Sequence, residues 1–357
     1  MLPLRLARGS RPLVQLRRLL VAAACAGSGL LLLYVLADAG ARSAGSFPRL
    51  LWALVPLAAT VQFAVAVART DPATRPREGL DAVGLGPVRL ALAAAVSTAV
   101  ACTLGAVLAL AAFLHLRGDL SGLPFDGAGA ALLHAGRPLP LAAALTLLAL
   151  LPLTASLATA LALRPRPPHA GIAPQTGVPW GVALGACGLA LLAYARPDGP
   201  ATPAAGVLIT AGLALAGPGL AYACGTLVQA VRPGALRLLA GRTLQEEASR
   251  LGRPLGVLCA VGAAALTALA GGGAPDPLGP LTVPAAVLVA LCAAASLLTA
   301  AVESRQVRGP VRAALLDLGT PGTVLRTAAG LRAVALLAGC VPLVWGVAQL
   351  TSLALTR

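Results

Sequence analysis

The chain contains no lysine: its 27 basic residues are all arginine, and charged residues of both signs fill only 11% of its 357 positions. Each absence removes a class of function. Without lysine no GxxxxGK[ST] phosphate loop can exist, and Gly84-Leu85-Gly86 lacks the strand and helix context of a dinucleotide loop, so ATP hydrolysis is expected only in a partner. None of the 12 acids falls in the middle of an apolar run. Ion-coupled carriers and proton pumps usually keep an ionisable group there, at a cost of roughly 2.5–3.5 kcal/mol, so secondary transport is disfavoured. No CxxC pair occurs among Cys25, Cys102, Cys187, Cys224, Cys259, Cys292 and Cys340. Widely separated and set in apolar runs, they read as small packing residues, giving neither a disulfide framework nor a metal set.

What the chain has in abundance is apolar surface, with 58% hydrophobic residues and a mean hydropathy of +0.86. A soluble core cannot hide this much, so an integral membrane protein is expected. Charge-free stretches of about 18 residues or more place nine spans at 19–37, 50–68, 90–114, 138–163, 178–195, 204–231, 254–271, 281–302 and 333–355. The fold class is all-α and polytopic. If the N-terminus is cytoplasmic, 21 arginines lie inside and six outside, a strong positive-inside bias. The net charge of +15 is therefore a matter of topology, and no nucleic-acid partner is expected.

At the N-terminus, Arg17-Arg18-Leu19-Leu20 has the look of a twin-arginine signal and Ala22-Ala23-Ala24-Cys25 faintly that of a lipoprotein box. The apolar run continues past Cys25 to Leu36, so a plain first span is expected. Residues 232–253, with Glu246 and Arg250 four apart, read as a short surface helix, and residues 164–177 read as a proline-rich linker. Pro56, Pro152, Pro218 and Pro342 mark kinks. Trp52, Tyr34 and Tyr194 fit an interfacial belt, and small residues recur four apart at Gly181/Gly185, Ala101/Gly105 and Gly212/Ala216. His115, His134, Asp119 and Asp126 share one external loop with no recognised ligand spacing, so solvated polarity is expected there. No catalytic, cofactor or metal residue is assigned.

One pattern is stated twice. After Arg69, Arg75 and Arg77 the chain reads Leu80-x-x-Val83-Gly84 and enters a long apolar run; 235 positions later, after Arg305, Arg308 and Arg312, it reads Leu315-x-x-Leu318-Gly319 and does so again. Such an elbow supplies apolar anchors at helical spacing, flanking charge and a glycine that lets the chain turn. The order basic segment, span, short loop, span, elbow, long span holds in both halves, without a counterpart of span four after the second. The chain therefore divides into a first unit at 1–163, a linker with two connecting spans at 164–231, and an incomplete second unit at 232–357.

The elbows Leu80-Asp81-Ala82-Val83-Gly84 and Leu315-Leu316-Asp317-Leu318-Gly319, together with Ala216-Gly217-Pro218-Gly219 and Leu239-Ala240-Gly241-Arg242 between the units, resemble the FtsX/MacB-like permease family of ABC transporters, in its long duplicated actinobacterial form. The large external domain usual in that family has no counterpart in residues 38–49. The resemblance implies a permease in the cell membrane whose elbows dock on a separate ABC ATPase, alone or beside a second permease chain, moving an apolar or amphipathic substrate such as a lipid or peptide. Arg77, Leu80, Val83, Gly84, Arg308, Arg312, Leu315, Leu318 and Gly319 are the expected coupling residues. A non-transporting membrane regulator, or an accessory structural subunit, would use the same architecture.

Overall fold

The computed structural model describes residues 12–41, 46–71, 87–120, 124, 127–164, 177–194, 201–230, 234–270, 279–319 and 321–355. They form ten α-helices: α1 Pro12–Ala41, α2 Ser46–Thr70, α3 Pro87–Arg117, α4 Leu141–Ala162, α5 Gly177–Tyr194, α6 Ala201–Ala230, α7 Ala235–Leu269, α8 Thr282–Val307, α9 Gly309–Asp317 and α10 Gly322–Leu355. Among the described residues there is no strand, and nine helices, all but α9, are long and apolar enough to cross a membrane. The reason is general: hydrocarbon offers no partner to a backbone N–H or C=O, so a spanning segment satisfies its own. The protein is an all-α polytopic membrane protein.

Each expected span overlaps one of these helices, but two run well past their expected bounds. Residues 232–253, expected as a separate surface helix, are instead continuous from Ala235 with the seventh span in α7. At 35 residues and ~1.5 Å per residue, α7 is about 52 Å long against a hydrocarbon core of ~30 Å. Its charged first third therefore stands beyond the apolar layer. The 34-residue α10 likewise starts at Gly322, ahead of the expected 333. The helices run through Pro56, Pro152, Pro218, Pro254 and Pro342 without a break.

Contacts divide the chain into two units, residues 1–168 with 277–292, and residues 169–276 with 293–357. Thus α8 gives its first part to one unit and the remainder to the other, and α5 and α6, read as connecting spans, pack in the second. In the first unit Leu33, Phe113, Ala109, Ala144 and Leu151 are fully buried. Tyr34 is enclosed in the same cluster. Here α1 and α3 meet backbone to backbone: a Cβ on Gly105 would stand 2.7 Å from the Cys25 Cβ. The Cys25 and Cys102 sulfurs lie 3.2 Å apart at this crossing, so cysteines separated in sequence are neighbours in space. Ser28 donates to Thr60 across α1 and α2 at 3.4 Å.

The second unit is built on closer approaches still. In lipid, helices gain little from burying apolar side chains against one another, so small residues that admit backbone contact carry association. The four-residue pairs seen in the sequence find each other: a Cβ on Gly181 would be 2.6 Å from the Ala216 nitrogen, and one on Gly212 2.7 Å from the Gly185 nitrogen, across α5 and α6. Between α6 and α7 the contact is tighter, since a Cβ on Gly252 would collide with Pro218 N and Cα, and one on Gly217 with the Gly252 carbonyl. Those atoms are backbone and cannot swing aside. Gly252→Val is expected to destabilise the protein by about 1–3 kcal/mol, seen as a lower thermal midpoint in detergent. Gly330→Val, on α10 with nothing within 4 Å, is expected to stay within about 0.5 kcal/mol.

Candidate coupling site

The two elbows differ in how much of them the structure describes. Arg77, Leu80, Val83 and Gly84 lie outside the described residues, as do Arg75 and Asp81. What leads into this elbow is fastened: Arg17 donates to Thr70 Oγ1 at 3.2 Å, and Arg18 to Asp71 Oδ2 at 2.6 Å. The start of α1 is thereby tied to the end of α2. Arg18 is 47% exposed on its side chain, so this pair is worth no more than about 1 kcal/mol and serves mainly to set position.

The second elbow is a folded element. Helix α8 ends at Val307, Arg308 interrupts the run, and Pro310 opens α9 at a position where its missing N–H is not needed. At the far end the Leu318 N–H bonds the Ala314 carbonyl at 3.0 Å and the Gly319 N–H bonds that of Leu316 at 2.9 Å. Gly319 has φ +85, the left-handed value that closes a helix at low cost only for glycine. A sequence reading of Gly319 as the turn into the next span thus has a structural cause.

Exposed on α9 and at its C-cap are Val311 at 62% and Leu318 at 82%, with Leu316 less so. Val311 precedes Leu315 by four positions and Leu318 by seven, both helical spacings. Arg312 and Leu315 fall in α9, with their side chains outside the described part of the structure. Val311 was not among the expected anchors. Its spacing from the two leucines is the signal that finds it.

Arg308, expected as a flanking loop charge, is the point where α9 is held to the spans. It donates to the Thr243 carbonyl at 3.1 Å and to Glu246 at 3.2 Å, and lies 3.3 Å from Glu247 Oε1. Glu247, buried on α7, also accepts from Ser304 on α8 and from Arg332 on α10, the latter at 3.3 Å. Beside them Arg250 pairs with Glu303 at 3.3 Å. The sequence reading had set Glu246 against Arg250 along one helix; the structure pairs each with α8 or its exit instead. The cause is the continuity of α7, which carries this charged stretch against its neighbours. Gly241, Leu244, Glu247, Ala248 and Leu251 are all buried on it.

One carboxylate thus joins α7, α8, α10 and the start of α9. A buried charge is costly alone and tolerable when its lone pairs are filled by several donors. Among the described residues no group of three or more His, Cys, Asp or Glu is arranged to hold a metal ion. Comparison with protein family models, curated proteins and solved structures finds no match to this chain. Glu247→Ala is expected to cost about 1.5–3 kcal/mol, because Arg308 and Arg332 lose a shared acceptor. Glu246→Ala, at a side chain 72% exposed, is expected to cost under about 1 kcal/mol; thermal unfolding of the two variants separates them.

Proposed function

We propose that this protein is the permease subunit of an ABC transporter, taking energy from a separate ATPase that docks on α9 and on the preceding elbow at 69–89. The observation that carries the reading is α9 itself. A short helix with exposed Val311 and Leu318 offers apolar anchors to a groove, as helix-in-groove recognition requires, while Arg308 at its start fixes it to Glu247. Force applied at such a helix reaches α7, α8 and α10 together, since Ser304, Arg308 and Arg332 all end on one carboxylate. A loop without this fastening would absorb the movement.

With the nine candidate spans of the described residues crossing in alternation, this reading has the start of α1, both elbows and the start of α7 on one side of the bilayer, and the arginine bias supports a cytoplasmic side. The protein sits in the cell membrane on this reading, and its substrate is an apolar or amphipathic molecule that enters from, or leaves to, the lipid. The ATPase is expected to be encoded beside it.

Two measurements test the proposal. Co-purified with that ATPase, the parent chain is expected to elute as a complex, and Val311→Asp with Leu318→Asp to weaken it about thirtyfold or more, the loss of about 2 kcal/mol at a hot spot. Retention of the complex by a monodisperse double variant would sink the docking role of α9. In whole cells, Leu318→Cys is expected to resist a membrane-impermeant maleimide that labels Gly136→Cys readily; the reverse pattern would invert the orientation.

A further inference from the structure

Of the loop residues expected as solvated polarity, Asp119 is exposed and Asp126 lies outside the described residues, whereas His134 stands against buried groups at the far end of α3 from its elbow. Arg117, the last residue of α3, is 5% exposed, and Asp38 near the end of α1 is 2% exposed. The Arg117 guanidinium donates to the Arg137 carbonyl, and its Nε lies 3.3 Å from Asp119 Oδ2. Arg137 in turn donates to the Gly40 carbonyl at 2.6 Å, closing the connection back to α1. His134 Nε2 stands 3.9 Å from Asp38 Oδ1. Its Nδ1 is buried without a hydrogen-bond partner among the described residues. His134 also has φ +54, unlike any other described non-glycine residue, a conformation costing about 1–3 kcal/mol that persists where surroundings impose it.

Beside them is a cavity of about 210 Å³ in the first unit, lined by Leu36, Ala37, Gly40, Arg117, His134, Arg137 and the stretch Pro138–Pro140. Its chemistry is one-sided. The polar side chains on the wall are two guanidiniums and an imidazole; Asp38 and Asp119 pair with them from outside the lining. Arginine presents five donors in a planar fork suited to an oxyanion, and the contacts above use only part of that capacity. The remaining wall is aliphatic and proline. The volume suits a head group and falls short of the 300–1,000 Å³ that takes a whole drug-sized ligand.

We infer that this cavity binds the oxyanion head group, phosphate or carboxylate, of an amphiphile whose apolar part lies against Leu36 and Leu139. Arg137, at the exposed rim, meets the anion first, Arg117 supplies fixed positive charge at the base, and His134 closes the third side. The site requires no ATPase. Its failure would leave the coupling role of α9 untouched, and failure of that role would leave the site standing.

The test uses the full-length chain in dodecyl maltoside micelles, titrated with dodecyl phosphate and followed by native mass spectrometry. One dodecyl phosphate per chain is expected, held at least tenfold more tightly than inorganic phosphate or dodecyltrimethylammonium. Arg137→Gln and His134→Asn, the latter chosen because asparagine tolerates positive φ, are each expected to weaken it fivefold or more, with Arg326→Gln without effect. Retention of one phosphatidylglycerol from nanodiscs of phosphatidylcholine and phosphatidylglycerol would support the site with a membrane lipid as occupant. Binding of dodecyl phosphate without that retention would support it with a soluble amphiphile. Parent protein that fails to prefer the phosphate head over trimethylammonium would overturn the site with no variant needed. Equal affinity for inorganic and dodecyl phosphate would overturn the amphiphile.

Discussion

Backbone-to-backbone contact between helices is what this fold depends on most. Lipid tails are as apolar as leucine, so burying one aliphatic side chain against another inside the bilayer yields little that lipid would not. What remains is dispersion at close range, and that is available only where side chains are small enough to admit it. The α6–α7 pair carries this furthest, with Gly217, Pro218 and Gly252 in contact through main-chain atoms. Once α6 and α7 are locked, the direction of α7 beyond the apolar layer is set, and with it the position of Glu247.

That position converts a packing arrangement into an electrostatic one. Glu247 stands on α7 against α8 and α10, and its partners are Ser304 on α8, Arg308 at the start of α9 and Arg332 on α10. Arg308, at the start of α9, reaches across to α7. The first elbow has a corresponding anchorage just before it, where Arg17 donates to Thr70 and Arg18 pairs with Asp71.

Much of this was legible in the sequence. Charge-free runs located each span of the described residues because a single charge in hydrocarbon is costly enough to be avoided, and the second copy of Leu-x-x-aliphatic-Gly falls on a short helix closed by Gly319. The small-residue pairs Gly181/Gly185 and Gly212/Ala216 were visible as spacings; that they face each other was not, because spacing specifies a face and not its partner. The extent of α7 was missed for a specific reason. Hydropathy reads Glu246, Glu247, Arg250 and Arg253 as an interruption, whereas a helix continues through charges once they find partners on neighbouring helices. Cys25 with Cys102, and Asp38 with His134, were hidden likewise, since each pair joins residues about eighty to a hundred positions apart.

The central claim is mechanical: the elbow helix moves with the spans because Glu247 fastens them. The direct measurement is the distance distribution between nitroxide labels at Leu239 on α7 and Leu318 after α9, taken by pulsed electron paramagnetic resonance. The background would carry Cys187→Ser, replacing the exposed cysteine. A single narrow distribution is expected in that protein and a broad one when Glu247→Ala is added. A distribution that is broad from the start, or one that stays narrow without the carboxylate, would contradict the account.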